Sequence, residues 1–568
     1  MAINLLTKEF FIPFLKDNIV IFSLYVLFTL FTYPFQALIL PHLYSTLFSN
    51  IENKKTPTFS FFTIIKNIFD NTTPHIVFKI ICVWFILQFT SMAKGWTESI
   101  FIPNFFTFTR SKIFEKTIDS LSVDYEDIPS GEYITRMLEL TRYMRNILAW
   151  TFSDVLPNMI AVVATIIFFM KYDKLLSGIM SFNIILLISI FYIFGEELIE
   201  VIKQREIDYF GLSESMNDSM NNLMNIYLNN KEDGEAEKNK AKNVKFGVEY
   251  SKHKISEAIL TFTSNFFTNI TYGLVIIFLY HKFTRNKLSS IEIIAAILLL
   301  NNYTNYTNTL TNDILDFGFS HYGMIKASEP FLEKIFSKNK IRTKEEGITK
   351  GKVQFKNISY NYKKQDNALF EDFNLTIQGG EKVAIIGPSG SGKTSLMKLL
   401  ISMYKPSKGQ ILIDDNDIST MKQKYIRDNV IYINQRTTLF NENIIDNIAY
   451  GNDNVDKKHI EKLLNYYQLN TIFSELEKGI YSNAGVNGTN LSGGMQKVTI
   501  LLRGILKEGK IYIFDEPLAG LDGATREKVI KMILDMTKGK TLIIITHDPE
   551  ITPFMDRVVN LKNQKNIN

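Results

Sequence analysis

Residues 387–394 read Gly387, Pro388, Ser389, Gly390, Ser391, Gly392, Lys393, Thr394, so small residues lead directly into a cation and a hydroxyl. The apolar stretch 383–386 precedes them, and Ser395, Leu396, Met397 and Leu399 follow in a helical pattern. A buried strand, a glycine-rich turn and a helix start are expected there. Backbone N–H groups in such a turn converge on one point, and the helix dipole adds positive potential, which suits a phosphate. Lys393 is placed to reach β- and γ-phosphate oxygens, and Thr394 to ligate Mg²⁺. The C-terminal third is therefore expected to bind a nucleoside triphosphate.

Other polar residues should converge on the same place. The runs 511–514 and 542–545 are continuously apolar, as strands buried on both faces of a parallel sheet are. Asp515 and Glu516 follow the first run, and His547 lies just beyond the second. Ligands of open α/β sheets bind at the carboxyl ends of strands. Asp515 suits a hard cation held through water. Glu516 is placed to orient or deprotonate an attacking water, and His547 to hydrogen-bond the γ-phosphate or that water. Val353, Phe355 and the stretch 358–362 alternate, which reads as an edge antiparallel strand.

Together with Leu491, Ser492, Gly493, Gly494 and Met495, these residues resemble the cassette of ATP-binding cassette half-transporters. The resemblance covers 350–562 by motif. It implies adenine stacking on Tyr362, phosphate binding by 387–394 with Ser395, and a glutamine loop at Gln435 that shares the Mg²⁺ site with Thr394 and Asp515. It implies a D-loop ending in Asp522 and catalytic roles for Glu516, His547, Gln435 and Lys393. Ser492, Gly493 and Gly494 form a second helix start, which in the family contacts the nucleotide held by the other subunit. One cassette per chain then implies a dimer, with an identical or a different partner. The sequence departs from the family at Met495, at Lys497 and Val498, at Val486 and at Gly520. Glu516 and His547 are intact, so hydrolysis is expected.

The rest of the chain must position that machinery. Its 568 residues predict several domains, and a net charge of +5 gives no argument for nucleic acid. The single cysteine, Cys82, excludes an intramolecular disulfide framework. Six segments, near 18–44, 76–97, 154–171, 175–195, 258–281 and 289–312, are long and apolar enough to cross a bilayer. The connections at 98–153 and 196–257 are long and helical in pattern. They carry fifteen Lys and Arg against eight in the other three connections, which places them, and both chain ends, in the cytoplasm. Residues 1–17 read as an amphipathic cytoplasmic elbow, with no cleavable signal. Lys94 is expected to snorkel to the headgroups. The polar run 301–313 should face the bundle interior or a wet cavity. Residues 231–245 read as a solvated helix face.

The expected fold is thus a membrane α-helical bundle of six transmembrane helices (1–325), a linker (326–349) and an α/β P-loop NTPase domain with an inserted helical subdomain (350–568). The six-span pattern with long second and fourth connections is similar to the exporter type. The resemblance implies an ATP-driven exporter using ATP and Mg²⁺; an ATP-gated channel, a regulatory membrane protein using ATP as a switch, or an importer on the same fold carries the same motifs.

Overall fold

The computed structural model describes residues 2–34, 36, 39–52, 73–122, 130–336, 344–362, 368–435, 437–452 and 455–561. Much of the expected connection 45–75, part of the linker and the last seven residues lie outside that set. The chain divides into two compact units, one of Met1–Ile118 with Asp127–Ser337, the other of Asp119–Glu126 with Lys338–Asn568.

The first unit is helical. Helices Thr73–Leu121, Lys174–Asn221 and Glu232–Thr284 are 49, 48 and 53 residues long. At about 1.5 Å per residue each is more than twice the roughly 30 Å of bilayer hydrocarbon. Each therefore holds an apolar span and a long polar extension, which is how the expected helical connections are built. Residues 231–245 are largely exposed, as expected. The amino-terminal elbow is present: the helical stretches Asn4–Asp17 and Ile19–Tyr33 meet at 88°. Phe10 and Phe14 on the first stretch are buried, and Phe14 packs on Phe101 and Phe105 with ring centroids 5.2 and 5.1 Å apart.

Among the described residues, four helices are long and apolar enough to cross a membrane, or five if that bent pair is one span. The expected sixth span coincides with helix Ser290–Asp313, opened by a capping box between Ser289 and Glu292. Its second half is Asn- and Thr-rich, which lowers its apolarity. Tyr303, Thr304, Thr307 and Thr311 on that half are buried, so this face packs into the bundle. Asn183 Nδ2 donates to the Tyr303 hydroxyl at 3.2 Å, and that hydroxyl donates to Met180 O at 2.9 Å.

Lys94 does not snorkel. Its side chain is buried, and Nζ donates to the Tyr33 hydroxyl at 3.3 Å and to Ser153 O at 3.1 Å. Those acceptors lie inside the bundle, Ser153 within a π-helical turn, Thr151–Val155. Internal hydrogen bonding replaces the headgroup contact in this case. Nearer the helix extensions, Arg205 donates to Glu206 Oε1 and contacts His253 Nδ1, both at 2.8 Å, while the Tyr143 hydroxyl donates to Glu206 Oε2 at 3.0 Å. Arginine has no acceptor atom, so His253 Nδ1 is the acceptor here.

The second unit has two sheets. Strands β1 (Val353–Tyr360), β2 (Phe370–Ile377), β4 (Lys408–Ile413) and β5 (Asn416–Asp417) make an antiparallel sheet in the order β2-β1-β4-β5. The expected edge strand is therefore interior: β1 pairs with β2 on one side and β4 on the other. Alternation fixes which face a strand buries, not how many neighbours it has. Strands β3 (Lys382–Ile386), β6 (Val430–Ile433), β7 (Ile511–Asp515), β8 (Thr541–Ile545) and β9 (Arg557–Asn560) make a parallel sheet in the order β6-β7-β8-β3-β9. Every residue of β7 and β8 is buried, as their continuous apolar runs predict.

The helical insertion lies between β6 and β7 and contains helices Ile444–Ala449, Lys457–Tyr466 and Gly493–Ile505. Its pin is Asn447, fully buried. Asn447 Oδ1 accepts from Phe440 N at 2.9 Å and from Arg503 Nη2 at 2.7 Å, and Nδ2 donates to Phe440 O at 3.0 Å. Asn447→Ala strands these partners and is expected to cost about 3 kcal/mol. Hydrogen exchange on the full chain should show the loss as weakened amide protection across 440–449. Unchanged protection there would remove Asn447 from this role.

Candidate nucleotide site

The site is assembled at the carboxyl ends of β3, β7 and β8. After β3 the chain turns through residues 387–392 into helix Lys393–Leu400. Gly392 caps that helix at φ 89°, where a Cβ would also lie 2.5 Å from the Phe370 ring. Both the conformation and the packing there require glycine. Lys393 Nζ donates to Gly387 O at 2.6 Å and Pro388 O at 3.0 Å, so the ammonium stands over the turn. The Ser391 hydroxyl is buried with no hydrogen-bond partner among the described residues. Gly390, at φ 82°, leaves open space where a Cβ would be. A buried hydroxyl without a partner beside a backbone cradle and an ammonium fits a phosphate group.

Two expected convergences are present. Thr394 Oγ1 donates to Asp515 Oδ2 at 2.9 Å, joining the helix start to the end of β7. His547 Nε2 lies 4.0 Å from Glu516 Oε1. Asp515 is buried, and burial raises the Glu516 carboxyl above its ordinary range, an effect opposed by nearby His547. The Glu516 backbone is left-handed, φ 50°, and its N–H donates to Ile545 O at 2.8 Å. Tyr362 is half-buried; its hydroxyl lies 2.5 Å from Ser395 Oγ, and its ring meets Tyr404 edge-on at 6.1 Å. The aromatic residue thus reaches the phosphate-loop helix.

Other expected residues stand apart from this cluster. Gln435 is exposed on the turn after β6; among the described residues no hydrogen bond joins it to Thr394 or Asp515. Its neighbour Arg436 lies outside the described residues. Ser492 does cap helix Gly493–Ile505, its Oγ accepting from Met495 N at 3.3 Å. That exposed helix start makes no hydrogen bond to 387–394 among the described residues. Asp522 caps helix Gly523–Met536, accepting from Thr525 N at 3.0 Å and Thr525 Oγ1 at 2.7 Å. These bonds hold its carboxyl below the usual range. Met495 is buried with Leu491, Leu518 and Leu521, which accounts physically for an apolar residue at this departure from the family.

Two residues went unassigned from sequence. The Tyr432 hydroxyl donates to Asp515 Oδ2 at 3.1 Å. Burial, reinforced by the Asp515 charge, pushes the phenol up, so it remains a donor. Lys497 is buried; burial pulls its ammonium down, and Asp515 and Glu516 oppose that pull. The Asp515 carboxylate and the Thr394 hydroxyl are oxygen donors of the kind that Mg²⁺ takes.

Residues 19–307 match the family profile for the ABC transporter transmembrane region, and residues 370–519 match the profile described as ABC transporter. The chain belongs to the ABC transporters. The ABC cassette binds ATP, and the transmembrane match makes this an integral membrane protein. The chain is 32% identical over 266 residues to ABC transporter B family member 29, chloroplastic, of Arabidopsis thaliana, covering 45% of this chain and 42% of that protein. It is 33% identical over 213 residues to the mitochondrial iron-sulfur clusters transporter ATM1 of Candida albicans, covering 37% and 28%. It is 32% identical over 215 residues to the alpha-hemolysin translocation ATP-binding protein HlyB of Escherichia coli, covering 38% and 30%. These matches span less than half the length of each ABC relative. The structure of a bacterial Atm1-family ABC exporter with ATP bound superimposes with a TM-score of 0.82 at 18% identity, over 96% of this chain and 94% of that one. The fold is therefore that of an ABC exporter.

Proposed function

We propose that this ABC protein is an ATP-driven exporter that works as a dimer of half-transporters, identical or different. One observation carries the reading. The bond from Thr394 to Asp515, with Glu516 and His547 on adjoining strand ends, gathers a cation site, a carboxylate and a histidine beside the phosphate loop. Lys393 binds the β- and γ-phosphates, helped by the N–H groups of 387–394 and by Ser395. Tyr362 stacks on adenine. Thr394 and Asp515 would hold Mg²⁺, partly through water, and Gln435 would join them from the turn after β6. Mg²⁺ supplies Lewis-acid stabilisation of the charge on the transferring phosphoryl group. Glu516 takes the proton of the attacking water, and His547 holds that water or the γ-phosphate in line. Ser492, Gly493, Gly494 and Asp522 serve the nucleotide bound by the partner chain.

Residues 1–325 form the membrane domain, with six spans and a cytoplasmic amino terminus. Residues 326–349 link it to the cytoplasmic cassette, 350–568. ATP binding closes the paired cassettes and turns the spans outward; release after hydrolysis resets them. The bias comes from the greater affinity of the closed state for ATP. A substrate screen in inverted vesicles tests this. Substrate concentrated inside with ATP, and not with ATP plus Lys393→Ala protein, is the expected result. Flux without turnover would identify a channel, and opposite vectoriality an importer.

A further inference from the structure

The strands that end at the nucleotide site begin at another concavity. Thr349 and Lys350 precede β1, Gly379 and Gly380 precede β3, Lys510 precedes β7, and Gly539 and Lys540 precede β8. These seven residues line a concavity of about 260 Å³. Roughly 17 Å of five-residue strand separates it from the phosphate loop.

Its walls are fixed by hydrogen bonds. Thr541, fully buried, donates from Oγ1 to Gly351 O at 2.8 Å and accepts there from Gly380 N at 2.9 Å. Asp414 Oδ2 accepts from Thr349 N, Lys350 N and Gly351 N at 2.6, 2.9 and 3.0 Å. A Cβ on Gly379 would lie 2.6 Å from Lys350 O, so glycine is what lets that turn close on the Lys350 wall. Gly380 and Gly539 sit at φ 82° and 74° with open space where a Cβ would be, leaving backbone accessible to a ligand.

The carboxylate beside this wall, Asp414, is engaged by the backbone N–H groups of 349–352. Three of the seven lining residues are lysines and none is acidic. Among the described residues, Lys350, Lys510 and Lys540 form no ion pair. Lysines on three walls of one small volume, with no acidic residue among the lining, favour an anion there. Lysine is a point-charge phosphate binder, and glycine walls admit tetrahedral oxygens closely. At roughly 30 Å³ per water, the volume holds a group the size of about nine waters, enough for linked phosphates.

We propose that this concavity is a second anion site, which takes a group bearing two or more phosphate charges, free in solution or carried on a lipid headgroup. It is separate from the ATP site and does not depend on export.

The test titrates sodium tripolyphosphate into the full-length protein in zwitterionic nanodiscs. The Lys393→Ala background silences the phosphate loop. One saturable site per chain is expected, weakened by salt. Lys510→Gln or Lys540→Gln should each weaken it about tenfold, and the triple variant with Lys350→Gln should abolish it. Equal thermal unfolding of these variants, which alter only side chains at the rim, guards against a folding defect. Discs containing phosphatidic acid separate the sources. Lysine-dependent loss of tripolyphosphate binding there assigns the lipid phosphate, and unchanged binding assigns the free one. No saturable binding, or binding indifferent to all three lysines, overturns the site.

Discussion

Glu516→Gln is expected to slow phosphate release by about 10²–10⁴-fold while ATP still binds. The amide keeps the shape and the hydrogen-bonding capacity of the side chain but cannot accept the water's proton. The backbone at Glu516 is left-handed at φ 50°, a conformation costing on the order of 1–3 kcal/mol that the surrounding structure must hold. It is held by the bond from Glu516 N to Ile545 O, which ties the end of β7 to that of β8 and survives the substitution. Thr394, Lys393 and Asp515 are untouched, so affinity for ATP should stay within a few-fold. Phosphate release and equilibrium ATP binding, both on lipid-embedded full chain, separate the two effects. Release by the variant at a rate near that of the parent would falsify the role of Glu516 as base.

The parts of this site that were legible from sequence are those whose chemistry is local. Glycine at 387, 390 and 392, followed by Lys393 and Thr394, forces a turn and a helix start whatever packs around it. The runs 511–514 and 542–545 are apolar at every position, and only a doubly covered strand buries every residue. Their ends therefore located Asp515, Glu516 and His547. The rest depends on partners far along the chain. Tyr432 looks like any strand aromatic until β6 pairs beside β7 and its hydroxyl meets Asp515. Lys94 has the same sequence signature whether it snorkels or turns inward; Tyr33 and Ser153, 61 and 59 residues away, decide the matter. Asn, Thr and Tyr in 301–313 dilute the apolarity of the last expected span, and composition alone cannot separate a lipid-facing helix from one that buries hydroxyls in a bundle. Lys497 was visible as a departure from the family, but its burial near two carboxylates was not.

The pairing of chains has the sharpest consequence. Within one chain, the helix start at Ser492 makes no hydrogen bond to residues 387–394 among the described residues, although both lead into helix N-termini of the kind that suits an anion. If each nucleotide is clamped between the loop of one chain and the helix start of its partner, two lesions combine by arrangement rather than by number. Lys393→Ala disables the loop, and Gly493→Asp places a carboxylate at an exposed helix start where a phosphate must sit. With both changes in one chain of a mixed dimer, each composite site loses one half and turnover should fall at least 10²-fold. With one change in each chain, one site loses both halves and the other stays whole, so a measurable share of ATPase activity should persist. Sites contained within single chains predict the reverse order. Differently tagged chains, purified as mixed dimers and assayed side by side for phosphate release, read the order directly. Equal activity in the two arrangements would leave the paired clamp without support, because only shared sites make the placement of the second lesion matter in this direction.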